Sequence, residues 1–171
     1  KGLGKAALAA VMVLILPLTG CGAAVMGAMT VMKQLADVSG ISSLGLDLSA
    51  GTVVREEDTH GGVHGDGRAF AVVTFDTEDR EALEADMKGD CWHPLPMTEN
   101  AARAVRELAA GEDGESLFPD ITRGYYYFRD RSSQSMDPGD DSELFSRASW
   151  NFTMAVYDSE TGTLYYFELD T

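Results

Sequence analysis

The stretch Asp58–Asp66, DTHGGVHGD, gathers the residue types that do chemistry. It holds two carboxylates and two of the chain's three histidines, spread among three glycines. Imidazole and carboxylate together suit zinc or another transition ion. Asp58, His60, His64 and Asp66 are therefore a candidate metal set, in which one Asp would act as base on a metal-bound water. The spacing narrows the geometry. His60 and His64, four apart, would share one face of a helix as in zinc proteases, but Gly61, Gly62, Gly65 and Gly67 oppose a helix. Gly61 also stands where the general-base glutamate of that motif belongs. Ala69 falls where an EF-hand loop needs its closing acid, and no Lys-Ser/Thr pair follows for a phosphate loop. Two readings stay open. Either the loop draws these four side chains around a divalent ion, or it is a glycine-shaped turn whose Asp and Thr side chains bond nearby amides.

Other candidates are less specific. Asp137, Asp140, Asp141 and Glu143 in MDPGDDSE have the composition of a calcium loop and equally of a solvated acidic one. The serines of RSSQS lack the G-x-S-x-G setting of a hydrolase nucleophile. Cys91 reads as a small buried residue, and His93 between Trp92 and Pro94 as local packing. With 28 acidic residues, no pair of carboxylates can be singled out for glycoside chemistry. Tyr125 and Tyr127 alternate with Tyr126 and Phe128, so an aromatic strand presents rings on both faces. Tyr125 and Tyr127 are the candidate binding surface, with core packing as the competing fate.

The elements that must position these groups follow from periodicity. TVVREED (52–58) and RAFAVVTFD (68–76) read as strands, joined through the glycine-rich stretch. Leu44, Leu46 and Leu48 alternate as a short strand would. Residues 77–88 read as a helix with Asp76 or Thr77 at its start and acids in its first turn. Thr98 caps a second helix that carries Ala101, Val105, Leu108 and Ala109 on one stripe. CWHPLP between them is a break, because Pro94 and Pro96 resist both helix and ladder. Trp150, Phe152, Met154 and Val156 alternate up to DSETG, and TLYYFEL returns, which predicts an antiparallel hairpin. The expected fold is α+β: an antiparallel sheet of about five strands with two or three helices packed on one face.

The N-terminus has the layout of an export signal. Lys1 and Lys5 precede an apolar run from Ala6 to Leu16, then Pro17 and Leu18-Thr19-Gly20-Cys21. This resembles a bacterial lipoprotein signal peptide with its lipobox. The resemblance implies cleavage before Cys21, diacylation of its sulfur and attachment to the outer face of the cell membrane. It divides the chain into a signal peptide (1–20), lipidated Cys21 with a tether or short helix (21–40) and one α+β domain (41–171). An uncleaved membrane span is the competing reading, because residues 6 to 32 carry no charge. EEDTHGGVHGDG and, more loosely, NFTMAVYDSETGTLYYFELDT are similar to stretches of an uncharacterised group of Gram-positive bacterial lipoproteins. That likeness implies a single domain and assigns no catalytic residue.

Formal charge is −15, and −17 once Lys1 and Lys5 are removed. A surface this acidic repels nucleic-acid phosphates, so no nucleic-acid partner is expected. The sequence therefore points to an exported, membrane-anchored lipoprotein that serves as a cell-envelope binding or interaction module. The alternative is a small metal-dependent hydrolase built on the Asp58/His60/His64/Asp66 loop.

Overall fold

A computed structural model describes residues 40–61, 65–88 and 91–171. Lys1 to Ser39, with the expected export signal, Cys21 and nearly all of the tether, lie outside the described residues, as does His64. No helix among the described residues is long and apolar enough to cross a membrane.

Six strands form one antiparallel sheet. They are β1 (Thr52–Asp58), β2 (Gly67–Thr74), β3 (Trp92–Pro94), β4 (Gly124–Asp130), β5 (Asn151–Asp158) and β6 (Thr163–Asp170). Their order across the sheet is β1-β2-β6-β5-β4-β3. Helix α1 (Thr77–Asp86) and helix α2 (Glu99–Glu107) lie in the crossing from β2 to the far edge and back to β4. The α+β class is as expected, with six strands instead of about five. The extra strand is Trp92–Pro94, within the segment expected to be a break. Pro94 is accommodated because β3 is an edge strand paired only to β4.

The two helices do not share a face. On β2, Ala69, Ala71 and Val73 point to a core that contains Leu83 of α1, whereas Phe70 and Val72 point to one that contains Ala101, Ala104 and Val105 of α2. Strand residues alternate between faces, so the sheet is covered on both sides. The sequence hides this arrangement because every central strand is apolar on both faces. Tyr126, Tyr127 and Phe128 are all buried, as a strand sandwiched between two layers requires.

The expected short strand around Leu44–Leu48 is a 3₁₀ turn at Ile41–Leu44 followed by irregular chain. Ile41 and Leu44 insert into the α1-side core. The turn is fixed to the sheet by two side chains: Trp92 Nε1 donates to Leu44 O at 3.1 Å, and Tyr127 Oη donates to Ser43 O at 3.1 Å. Thr98 caps α2 as its position predicts, accepting from Ala101 N at 3.2 Å. The terminal hairpin is also as predicted, with β5 and β6 paired from Asn151↔Asp170 to Asp158↔Thr163.

Candidate functional site

Asp58 ends β1 and Gly67 opens β2, so the glycine-rich stretch is the β1–β2 connection. Thr59 extends the ladder by one step, its N–H donating to Arg68 O at 2.9 Å. The chain then turns inward. Asp58 Oδ1 accepts from the His60 backbone N–H at 2.8 Å, an Asx turn that fixes the loop's first bend. The same oxygen lies 2.7 Å from His60 Nδ1. A carboxylate can only accept, so Nδ1 carries a hydrogen, and Nε2 of a neutral imidazole is left with its lone pair.

What Nε2 faces is supplied from the other end of the sequence. Asp170 Oδ2 lies 3.3 Å from it. His60, Glu168 and Asp170 each offer a ligand atom within 4.8 Å of the other two. The register explains the meeting. β6 inserts between β2 and β5, placing Asp170 opposite Gly67 and Glu168 opposite Ala69. Glu168 and Asp170 share the strand face of Leu164 and Tyr166, the α1 side.

The carboxylates are held from behind. Arg131, just past β4, pairs through Nη1 with Glu168 Oε1 and through Nη2 with Asp170 Oδ1, the latter at 2.6 Å. Tyr166 Oη donates to Glu168 Oε2. Glu168 is 3% exposed. Burial, and then the bond to the Glu168 carboxylate, push the Tyr166 hydroxyl far above its ordinary range, so it remains a donor. Gly40 crosses directly over this group: a Cβ there would collide with Glu168 Oε2 and Tyr166 Oη.

Among the described residues, Asp58, His60 and Asp66 do not gather as the expected metal set. Asp58 and His60 do meet, but Asp58 occupies Nδ1 and lies behind the ring. Asp66 is exposed, and its carbonyl, not its carboxylate, closes the loop by accepting from Gly61 N–H at 3.4 Å. His64 lies outside the described residues. Glu168 and Asp170 were missed in the sequence. The available signal was two acids on the inward-facing parity of a strand whose neighbours on that face, Leu164 and Tyr166, are buried.

Tyr127 is not a binding surface, because it is 3% exposed, and Tyr125 is packed against the same α1-side core. The Trp92 ring and the 3₁₀ turn lie against Tyr127 on that face. In the acidic loop, Asp137 accepts from Gly139 N–H, Asp140 from Ser142 N–H, and Asp141 from the α2 cap. Three of its acids thus hold backbone. His93 stacks near Tyr126, with ring centroids 5.3 Å apart.

On the other face of the β1 edge lies an open cleft of about 620 Å³, between β1 and the 111–117 loop. Arg55 and Glu57 line one wall, paired at 2.6 Å, with the Arg55 guanidinium 5.1 Å from the Phe70 ring centroid. Arg68 is drawn to the far wall, donating to Ala110 O at 2.6 Å. Glu112, Asp113 and Glu115 line that wall and are exposed.

Comparison with protein-family models, curated proteins and solved structures returns no match to this chain. The functional reading therefore rests on the geometry.

Proposed function

We propose that this chain is an exported, lipid-anchored protein of the cell envelope that works by binding a polar ligand. The anchor reading rests on the basic Lys1/Lys5 region, the apolar run and the lipobox ending at Cys21. The binding reading rests on one observation, the open charged cleft beside β1. Ligand pockets for apolar molecules are enclosed and apolar-lined. This one is open, and acids outnumber arginines along it, so it suits an extended polar ligand with positive charge, such as a basic peptide segment. The two arginines are engaged internally, by Glu57 and by Ala110 O, which leaves the acids of the 111–117 loop to meet the ligand.

The hydrolase reading has less support. Of the two acids that could serve as its base, Asp58 is engaged by His60 and Asp66 is exposed.

Two measurements test the proposal. Cys21→Ala should abolish acyl labelling and move the protein from the membrane to the soluble fraction; unchanged labelling and partitioning overturn the anchor. Titration with a lysine-rich peptide, followed by amide chemical shifts, should perturb residues 55–57 and 111–117 and weaken with salt. Shifts elsewhere, or none, overturn the cleft as the binding surface.

A further inference from the structure

We propose that His60, Glu168 and Asp170 form a binding site for a divalent transition cation, with Asp58 orienting the imidazole. Asp58 also lines the cleft, but His60, Glu168 and Asp170 do not, so the site does not depend on what the cleft binds.

The first argument is the orphaned nitrogen. Asp58 fixes a proton on Nδ1, so Nε2 of the neutral imidazole presents a lone pair. Nε2 is buried and has no hydrogen-bond partner. Another acceptor, Asp170 Oδ2, lies 3.3 Å from it. Two lone pairs facing each other in a partly buried site are unfavourable unless a positive species lies near both.

Distance supplies the second argument. The 3.3 Å between Nε2 and Asp170 Oδ2 is long for a charge-assisted hydrogen bond. Two donors each about 2.1 Å from a tetrahedral ion stand about 3.4 Å apart. The observed separation matches that edge.

Charge is the third. Asp58, Glu168 and Asp170 bring three negative charges and Arg131 one positive, which leaves two in excess when the imidazole is neutral. A divalent ion neutralises them; a proton on Nε2 neutralises only one. Arg131 takes Glu168 Oε1 and Asp170 Oδ1, leaving Asp170 Oδ2 available on the His60 side. Each Glu168 oxygen keeps a second lone pair.

The surroundings are those of a built metal site. An imidazole ligand commonly donates its other N–H to a carboxylate that sets the tautomer and ring orientation, as Asp58 does here. Glu168 and Asp170 are themselves anchored by Arg131 and Tyr166. One nitrogen and two oxygens favour zinc, manganese or a related ion over calcium, which prefers a larger set of oxygens. His60 and Asp170 side chains retain 15% and 27% exposure, so an ion can enter.

The test uses the full chain, solubilised in mild detergent, titrated calorimetrically with Zn²⁺ alone; Co²⁺ absorption reports the ligand type. Glu168→Gln disturbs a buried ion pair, so the decisive variants are His60→Gln and Asp170→Asn, at partly exposed positions. Wild type should bind one Zn²⁺ per chain. His60→Gln and Asp170→Asn should each weaken binding at least tenfold while keeping the wild-type circular dichroism spectrum. Asp58→Asn should weaken it about 10- to 100-fold, as loss of an orienting carboxylate does. Absence of Zn²⁺ binding by the wild type overturns the proposal. So does an affinity unchanged in both His60→Gln and Asp170→Asn, which would place the ion elsewhere on this acidic surface.

Discussion

The backbone of His60 lies across Gly67 so closely that a Cβ on Gly67 would stand 2.5 Å from the His60 Cα. The glycine that opens β2 is thus what lets the imidazole reach Asp170. Its role differs from that of Gly65, which sits at φ +73° with open space around it, and from that of Gly61, where an added Cβ would meet nothing nearer than 4.0 Å.

Three alanine variants separate these roles. Gly67→Ala should destabilise the protein by about 2 kcal/mol, because backbone has to move. Gly65→Ala should cost about 1 kcal/mol, the penalty for a side chain in the left-handed region. Gly61→Ala should be nearly neutral. Urea unfolding of the three variants checks the ranking, and a Gly67→Ala protein as stable as Gly61→Ala would refute the crossing.

Arg131 is the second target. Arg131→Met leaves Glu168 buried with no guanidinium, and should cost about 3 kcal/mol. Replacing both partners, Arg131→Met with Glu168→Leu, should recover much of that loss, since neither charge is then stranded. A double variant no more stable than the single one would show that the pair does more than satisfy itself.

Tyrosine ionisation provides a pH test. Burial first, and then the nearby Glu84, push Tyr157 up to about 12 from its ordinary value of 10.0, and Tyr166 is raised further. A hydroxyl raised in the fold favours the folded state fully below pH 10, and that contribution is lost as pH rises through 12. Stability should therefore stay flat up to about pH 10 with respect to these groups and fall above it. Absorbance at the tyrosinate band, followed together with unfolding, should show late-ionising tyrosines that appear only as the fold is lost. Tyr157 has a buried hydroxyl without a partner, so Tyr157→Phe should equal or exceed the wild type in stability.

Asp141 joins the acidic loop to α2. Its carboxylate accepts from Ala101 N–H at 3.1 Å and from the Thr98 hydroxyl. Asp141→Ala should destabilise by about 1 kcal/mol, comparable to losing a helix cap. Calcium should leave the wild-type melting temperature unchanged, because the loop's acids already serve backbone amides. A calcium-dependent rise that Asp137→Ala or Asp140→Ala removes would reverse that assignment.

The local half of the candidate site was legible, and the distant half was not. Asp58 and His60 are two residues apart, and an Asx turn is a property of such a short segment. Glu168 and Asp170 arrive only because β6 slots between β2 and β5, and no spacing in the chain encodes that pairing. The terminal hairpin was legible because its turn and its alternation agree over a short span. The placement of the helices was not. α1 buries only Leu83 within its own length, so its charged sequence gives little sign of which face it covers. β3 escaped notice because an edge position makes its proline harmless.

The 3₁₀ turn has a mechanical consequence. Tension on the chain ahead of Gly40 reaches the sheet first through Ser43 and Leu44, whose carbonyls are gripped by Tyr127 and Trp92. Those two bonds and the wedged side chains of Ile41 and Leu44 act as a clasp. Slipping it would pull Gly40 off Glu168 before any strand pair is loaded. In a tethered protein, Glu168 of the proposed ion site would then be the first interior group to register strain on the leash.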